Sequence, residues 1–173
     1  MTAMNANDGL QGEGVHRTLI GGLLSVVDSA HADMAALVRG VDVEGLKWMP
    51  APGAPHLSGL VLHVLQFEDY LARIASGEQV RWEAPLGSSN ALVMRDAQLL
   101  ARIAATGDQL RRALETITPA LLDSIVLDDE RTVGEALVED ISHASLHLGQ
   151  MQLTRQLMVR VIPMDFPEYV HWA

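Results

Sequence analysis

Long stretches in which apolar residues recur every three or four positions alternate along the chain with short stretches rich in proline, glycine and charge. From Val15 to Arg39 the stripe Ile20, Leu23, Val27, Ala30, Met34 and Leu37 has the period of an amphipathic helix, and Gly40 suits the left-handed position that ends one. Pro50, Pro52, Gly53 and Pro55 then punctuate a loop from Val41 to Pro55. The spacing predicts a second helix over Leu57–Ser76, with Leu60, His63, Phe67, Leu71 and Ile74 on one face and Gly77 to stop it. A longer loop, Glu78 to Ser89, carries Arg81-Trp82-Glu83-Ala84-Pro85. Ser89 or Asn90 is placed to cap a third helix along Leu92, Leu99, Ile103, Leu110, Ala113 and Ile117, closed or kinked at Thr118-Pro119. Gly107 weakens that helix by up to about 1 kcal/mol relative to Ala. After the acidic Asp128-Asp129-Glu130, the capping-box spacing Thr132-Val133-Gly134-Glu135 opens a last helix that runs to about Arg160. Its stripe is Leu137, Ile141, Ala144, Leu148, Met151 and Met158.

Four helices around one core is the architecture these stripes require, an all-α four-helix bundle over residues 15–160. Residues 1–14 are small, polar and glycine-containing and read as a disordered lead-in rather than a signal peptide. The tail, residues 161–173, gathers Phe166, Tyr169 and Trp172 and is expected to pack on the bundle or on a partner subunit.

Composition narrows the class further. Apolar residues make up 49% of the 173 but aromatics only 4%, so Leu, Val, Ala and Met must fill the core, as suits close-packed helices. A formal charge of −10 repels phosphate backbones and anionic lipid, which argues against nucleic acid and membrane as partners. No stretch approaches the roughly 20 uninterrupted apolar residues of a membrane span. Cysteine is absent, so disulfides, thiolate nucleophiles and sulfur-ligated metals are excluded, and any thiol in the chemistry comes from a cosubstrate. A cytoplasmic location is allowed.

The candidate chemistry lies in His63, His143 and His147. Two histidines four apart on a helix stand about 40° apart around the axis and one turn apart along it, so both imidazoles reach one point. Taken singly, His63 also fits a hydrogen-bonded core histidine, and the pair a chance placement on a helix face. Together, three imidazoles beside apolar stripes each need a polar partner, and one divalent cation satisfies all three while leaving a coordination position open. Ala144 stands where the metalloprotease pattern has its Glu, which disfavours peptidase chemistry. Glu139 is a candidate acceptor for an imidazole N–H, or else a solvated helix glutamate. Gln150 and Arg155 are placed to orient an anionic substrate, with surface pairing the simpler role for Arg155. His31 falls near the core stripe and reads as a buried hydrogen-bonded residue; His16, His56 and His171 lie at a helix start, a proline-rich entry and the tail. Trp48 and Trp82 read as apolar lids.

These residues resemble a known family. Leu46-Lys47-Trp48-Met49-Pro50, then Leu60-Val61-Leu62-His63 with Glu68 five residues on, resembles the opening of the DinB-like superfamily. Thr132-Val133-Gly134-Glu135-Ala136-Leu137 and His143-Ala144-Ser145-Leu146-His147-Leu148-Gly149-Gln150, with Arg155 beyond, looks like its last helix. The resemblance covers roughly residues 15 to 160, and the group called DUF664 looks closest. It implies an up-down-down-up bundle, often homodimeric, with a divalent metal held by His63, His143 and His147. Characterised relatives include thiol-dependent transferases and isomerases that use mycothiol, bacillithiol or glutathione. Mycothiol-dependent maleylpyruvate isomerase has Glu at the position of His143 and a second domain, so its particular reaction does not carry over. The resemblance favours a zinc- or nickel-dependent thiol S-transferase acting on a small electrophile. A metal-dependent hydrolase and a non-catalytic metal- or ligand-binding bundle stay open as alternatives.

Overall fold

In the computed structural model, which describes residues 6–82, 94–126 and 130–161, the chain is all-helical, with no strand among those residues. Four long helices, α1 (Ala6–Val38), α3 (Leu57–Ala75), α4 (Asp96–Thr116) and α6 (Val133–Val161), carry two short ones, α2 (Val43–Lys47) and α5 (Pro119–Leu122). α3 packs on α4 and α6, and α1 packs on the same two, so the bundle closes in the order α1, α4, α3, α6.

Two apolar clusters fix the directions. One joins Met34 and Val38 at the end of α1 to Leu57 and Val61 at the start of α3, Leu99 at the start of α4 and Met158 at the end of α6. The other joins Ile20 and Leu23 of α1 to Leu71 and Ile74 of α3, Leu114 of α4 and Val133 and Leu137 of α6. α1 and α6 therefore run one way and α3 and α4 the other, the up-down-down-up arrangement. Because α3 and α4 are parallel neighbours, the chain between them must return along a helix's length. It does so with Val80 on the second cluster, Trp82 on Phe67 and Tyr70, and Met94 on the first.

Local chemistry sets the helix ends. Gly40 and Gly77 follow their helices at φ 71° and 84°, the left-handed region that costs glycine least. Thr132 and Glu135 close the predicted capping box: Thr132 N–H donates to Glu135 Oε2 at 2.8 Å, and Glu135 N–H to Thr132 Oγ1 at 3.1 Å. Asp42 caps α2 by accepting from Gly45 N–H at 2.7 Å; one capped turn is too short to show a period, so this helix is hidden within the expected loop. Likewise Pro119, rather than only ending a helix, opens α5 at N1, with Thr118 as its cap.

Two expected boundaries move. α1 begins at Ala6, not Val15, so residues 6–14 of the expected disordered lead-in are helical; Ala, Leu, Gln and Glu there are good helix formers and outweigh the glycines. α4 begins at Asp96 behind Arg95, whose N–H donates to Gln98 Oε1 at 2.9 Å; the expected caps Ser89 and Asn90, and Leu92, lie outside the described residues. The tail with Phe166, Tyr169, His171 and Trp172 also lies outside them.

Candidate metal centre

The centre is built where α3 and α6 cross in opposite directions. His56 starts α3, its buried Nδ1 accepting the Gly59 N–H at 2.9 Å, so the proline-rich entry ends in a histidine cap rather than a ligand. From that anchored start, His63 projects toward α6 and meets His143 and His147. Ring centroids are 5.0 Å apart for His63–His143, 4.7 Å for His63–His147 and 4.5 Å for His143–His147. One nitrogen from each ring lies within 4.8 Å of the other two, so the three could hold one metal ion.

The donor set fits a divalent cation. His63 Nε2 and His143 Nε2 are 3.1 Å apart. Two nitrogens each about 2.0–2.1 Å from zinc at a tetrahedral angle lie roughly 3.3 Å from one another. His147 Nδ1–H donates to Gln150 Oε1 at 2.8 Å, which fixes the tautomer and leaves Nε2 as the lone-pair donor. Burial holds the His143 imidazole down at about 4, with His147 and His63 adding to the effect. Burial, then His147, lowers His63 as well. Both rings are therefore neutral at pH 7, the form that can bind a metal. All three histidines are half-buried, so the centre keeps one side open.

Phe67 packs on the His143 ring at 4.8 Å between centroids and on Trp82 at 5.2 Å, which in turn meets Tyr70 at 5.4 Å. Trp82 is thus an aromatic cover beside the centre, and Trp48 packs against the first core cluster, as lids would. Next to this wall, Gln66, Tyr70, Arg73, Arg81 and Trp82 line a cavity of about 460 Å³ along the outer face of α3.

Other candidates resolve differently. Glu139 does not support an imidazole; it is half-exposed and paired with Arg131, because its position on α6 turns away from α3. Gln150 takes the supporting part through His147, while Arg155 is half-buried on α6, where desolvation lowers its guanidinium pKa. His16 Nε2 lies 3.1 Å from the Ile117 carbonyl oxygen, tying α1 to the end of α4. His31 is, as expected, a buried hydrogen-bonded histidine, 2.7 Å from Glu68 Oε2.

Sequence reasoning missed one residue. Asp140 is 3% exposed, and its carboxyl is pushed up to about 8 by burial and by the nearby Glu68. The signal was available: an aspartate between Leu137 and Ala144 falls at stripe spacing on the core face.

A search of curated proteins gives no match. Among solved structures, the chain is similar to a conserved protein from Enterococcus faecalis with a TM-score of 0.67 at 18% identity, covering 80% of this chain and 95% of that one. At that identity the likeness concerns the fold. The family model of the DinB superfamily matches residues 27–151, which takes in α3 and α4 whole, parts of α1 and α6, and all three histidines; the chain belongs to the DinB superfamily.

Proposed function

We propose that the protein is a divalent-metal-dependent enzyme of the thiol S-transferase type, with His63, His143 and His147 holding zinc or nickel. The observation that carries this reading is the convergence of three imidazoles with one side left open and no acidic side chain in the group. A closed four-ligand set would suit a structural site; three imidazole nitrogens and an open side suit a site that takes up a substrate atom. A cation bound there supplies acidity to a coordinated low-molecular-weight thiol and favours its thiolate. The chain's own part is to hold the imidazoles neutral, to orient His147 through Gln150, and to exclude water behind Phe67 and Trp82. The adjoining cavity has room for the remainder of a small substrate, with Tyr70 and Trp82 as ring surfaces and the Arg73 guanidinium at its edge. The lack of cysteine fits, since no protein thiol competes for the cation.

The test is to load the protein with cobalt as a spectroscopic substitute and titrate mycothiol, bacillithiol and glutathione. A sulfur-to-metal absorption band with one of them, together with conjugation of a model electrophile by the zinc or nickel form, supports transfer. Metal loading without a thiol band, but with ester or amide hydrolysis, would replace it with the hydrolase reading.

We also propose a homodimer through the face shared by the parallel helices α1 and α6. Val138, Leu146 and Leu153 are exposed along α6 around the open Gly149, and Val15, Leu19 and Val26 along α1 around the open Gly22. Exposed apolar residues at helical spacing on two adjacent helices, around positions that let backbones approach, form a self-complementary patch.

A further inference from the structure

The apolar core is interrupted at mid-height by one buried polar side chain from each long helix: His31 of α1, Glu68 of α3, Thr106 of α4 and Asp140 of α6. Three of the four are satisfied. His31 and Glu68 bond at 2.7 Å, and Thr106 donates to Asp69 Oδ1 at 3.1 Å. Asp140 Oδ1 is buried with no partner.

Three residues further along α6, His143 Nδ1 is also buried with no partner. Positions i and i+3 on a helix bring Cβ atoms to about 5–6 Å, so one side-chain rotation can join these two atoms. Their chemistry is complementary. When His143 directs the Nε2 lone pair at a cation, Nδ1 must carry the proton and becomes a donor, while a carboxyl oxygen, protonated or ionised, has a lone pair that accepts. Leaving either buried atom unmatched costs stability that a bond between them would recover. The neighbouring ligand shows the same construction: Gln150, three residues after His147, accepts from its Nδ1–H.

We propose that Asp140 is a positioning residue for the centre, its Oδ1 taking the Nδ1–H of His143 when Nε2 binds the cation. Glu68, held by His31, lies close enough to Asp140 to disfavour a second charge in the layer. The proposal rests on the reading that the three histidines hold a divalent cation. It gives His143 the same kind of support that Gln150 gives His147, from the opposite direction along the helix.

The experiment compares wild type with Asp140→Asn, Asp140→Leu and, as a control in the same layer, Thr106→Val. Zinc affinity is measured by competition with a chromophoric chelator, and the His143 ring nitrogens are followed by 15N NMR with and without zinc. Asp140→Leu is expected to bind zinc about 10–100-fold more weakly and Asp140→Asn, whose amide oxygen still accepts, close to wild type, both melting, before zinc is added, no lower than wild type. The His143 Nδ1 resonance of the zinc form should move in Asp140→Leu, and Thr106→Val should change neither affinity nor resonance. If Asp140→Leu folds poorly, Asp140→Ala, which also lacks an acceptor, carries the comparison. Unchanged zinc affinity and an unchanged Nδ1 resonance in a wild-type-like zinc complex of the variant that lacks an acceptor overturn the role of Asp140 alone. Failure of wild type itself to bind zinc overturns the metal centre and this proposal together.

Discussion

The His31 imidazole occupies the space that a side chain at position 107 would need: a Cβ placed on Gly107 would lie 2.4 Å from His31 Nδ1. The glycine that weakens α4 as an isolated helix is thus what lets α1 bring a histidine to Glu68. Gly107→Ala gains up to about 1 kcal/mol of helix propensity but forces the ring off Glu68 or α4 away from α1. We expect a net loss of roughly 1–3 kcal/mol in urea unfolding, as for other overpacked cores. Adding His31→Ala should recover part of it, and a Gly107→Ala protein as stable as wild type would show that the packing there is loose.

Metal removal should destabilise the fold, because the centre joins α3 to α6. A ligand bound only to the native state adds about 2.7 kcal/mol at one hundred times its Kd. Chelation of the loaded protein should lower Tm accordingly, and His147→Ala should abolish the response. Gln150→Ala should retain the response but shift it to higher zinc concentration, by about 10–100-fold. Equal melting curves with and without chelator for a loaded sample would argue against a tie between the helices.

Without metal, stability should depend on pH in two opposed ways. His143 is held near 4 in the fold against an ordinary 6.5, so its contribution is present above 6.5 and lost as pH falls toward 4. Asp140 sits near 8 against an ordinary 3.8, so its contribution is present below 3.8 and lost as pH rises through 8. The two oppose one another between about 4 and 6.5, and Asp140 alone acts from there to about 8. Tm of the chelated protein should fall from pH 6.5 to 8, and Asp140→Asn should flatten that slope. A slope that persists in the variant would assign it to other groups.

Light scattering should give twice the 18.8 kDa chain mass at micromolar concentration. Leu146→Asp together with Leu153→Asp should halve the mass without changing helix content, since both side chains are exposed in the single chain. A monomer in wild type would remove the dimer and leave the metal centre untouched.

Long-period features were legible in the chain and single-turn or cross-helix features were not. The stripes of α3 and α6 and the Thr132–Glu135 capping box could be read because each is written in contiguous sequence. The same periodicity put His63 on the face that meets α6, and the i,i+4 spacing put His143 and His147 together. α2 escaped because five residues hold too little pattern, and the start of α1 because residues 6–14, with Leu10 as their one large apolar residue, carry no apolar period in the sequence. Glu139 drew attention as the acidic residue four before His143, yet Asp140 is the buried one, a difference that depends on which side of α6 faces α3. The layer of His31, Glu68, Thr106 and Asp140 draws one residue from each long helix, so stripe spacing can point to His31 or Asp140 singly, but the meeting of the four is written nowhere along the chain.

The parallel course of α3 and α4 has a consequence for how this scaffold can diversify. Antiparallel neighbours can be joined by a tight turn, but these two need a connection that spans a helix's length, and Trp82, where that connection leaves α3, already leans on Phe67 beside His143. Specificity and structure are thereby assigned to different parts of one polypeptide. Substitutions at Trp82 can reshape the surroundings of the imidazoles while the helices that aim them keep their lengths, caps and packing. A lineage built on this bundle can exchange one substrate for another by rewriting a connector whose presence the topology demands and whose sequence it leaves free.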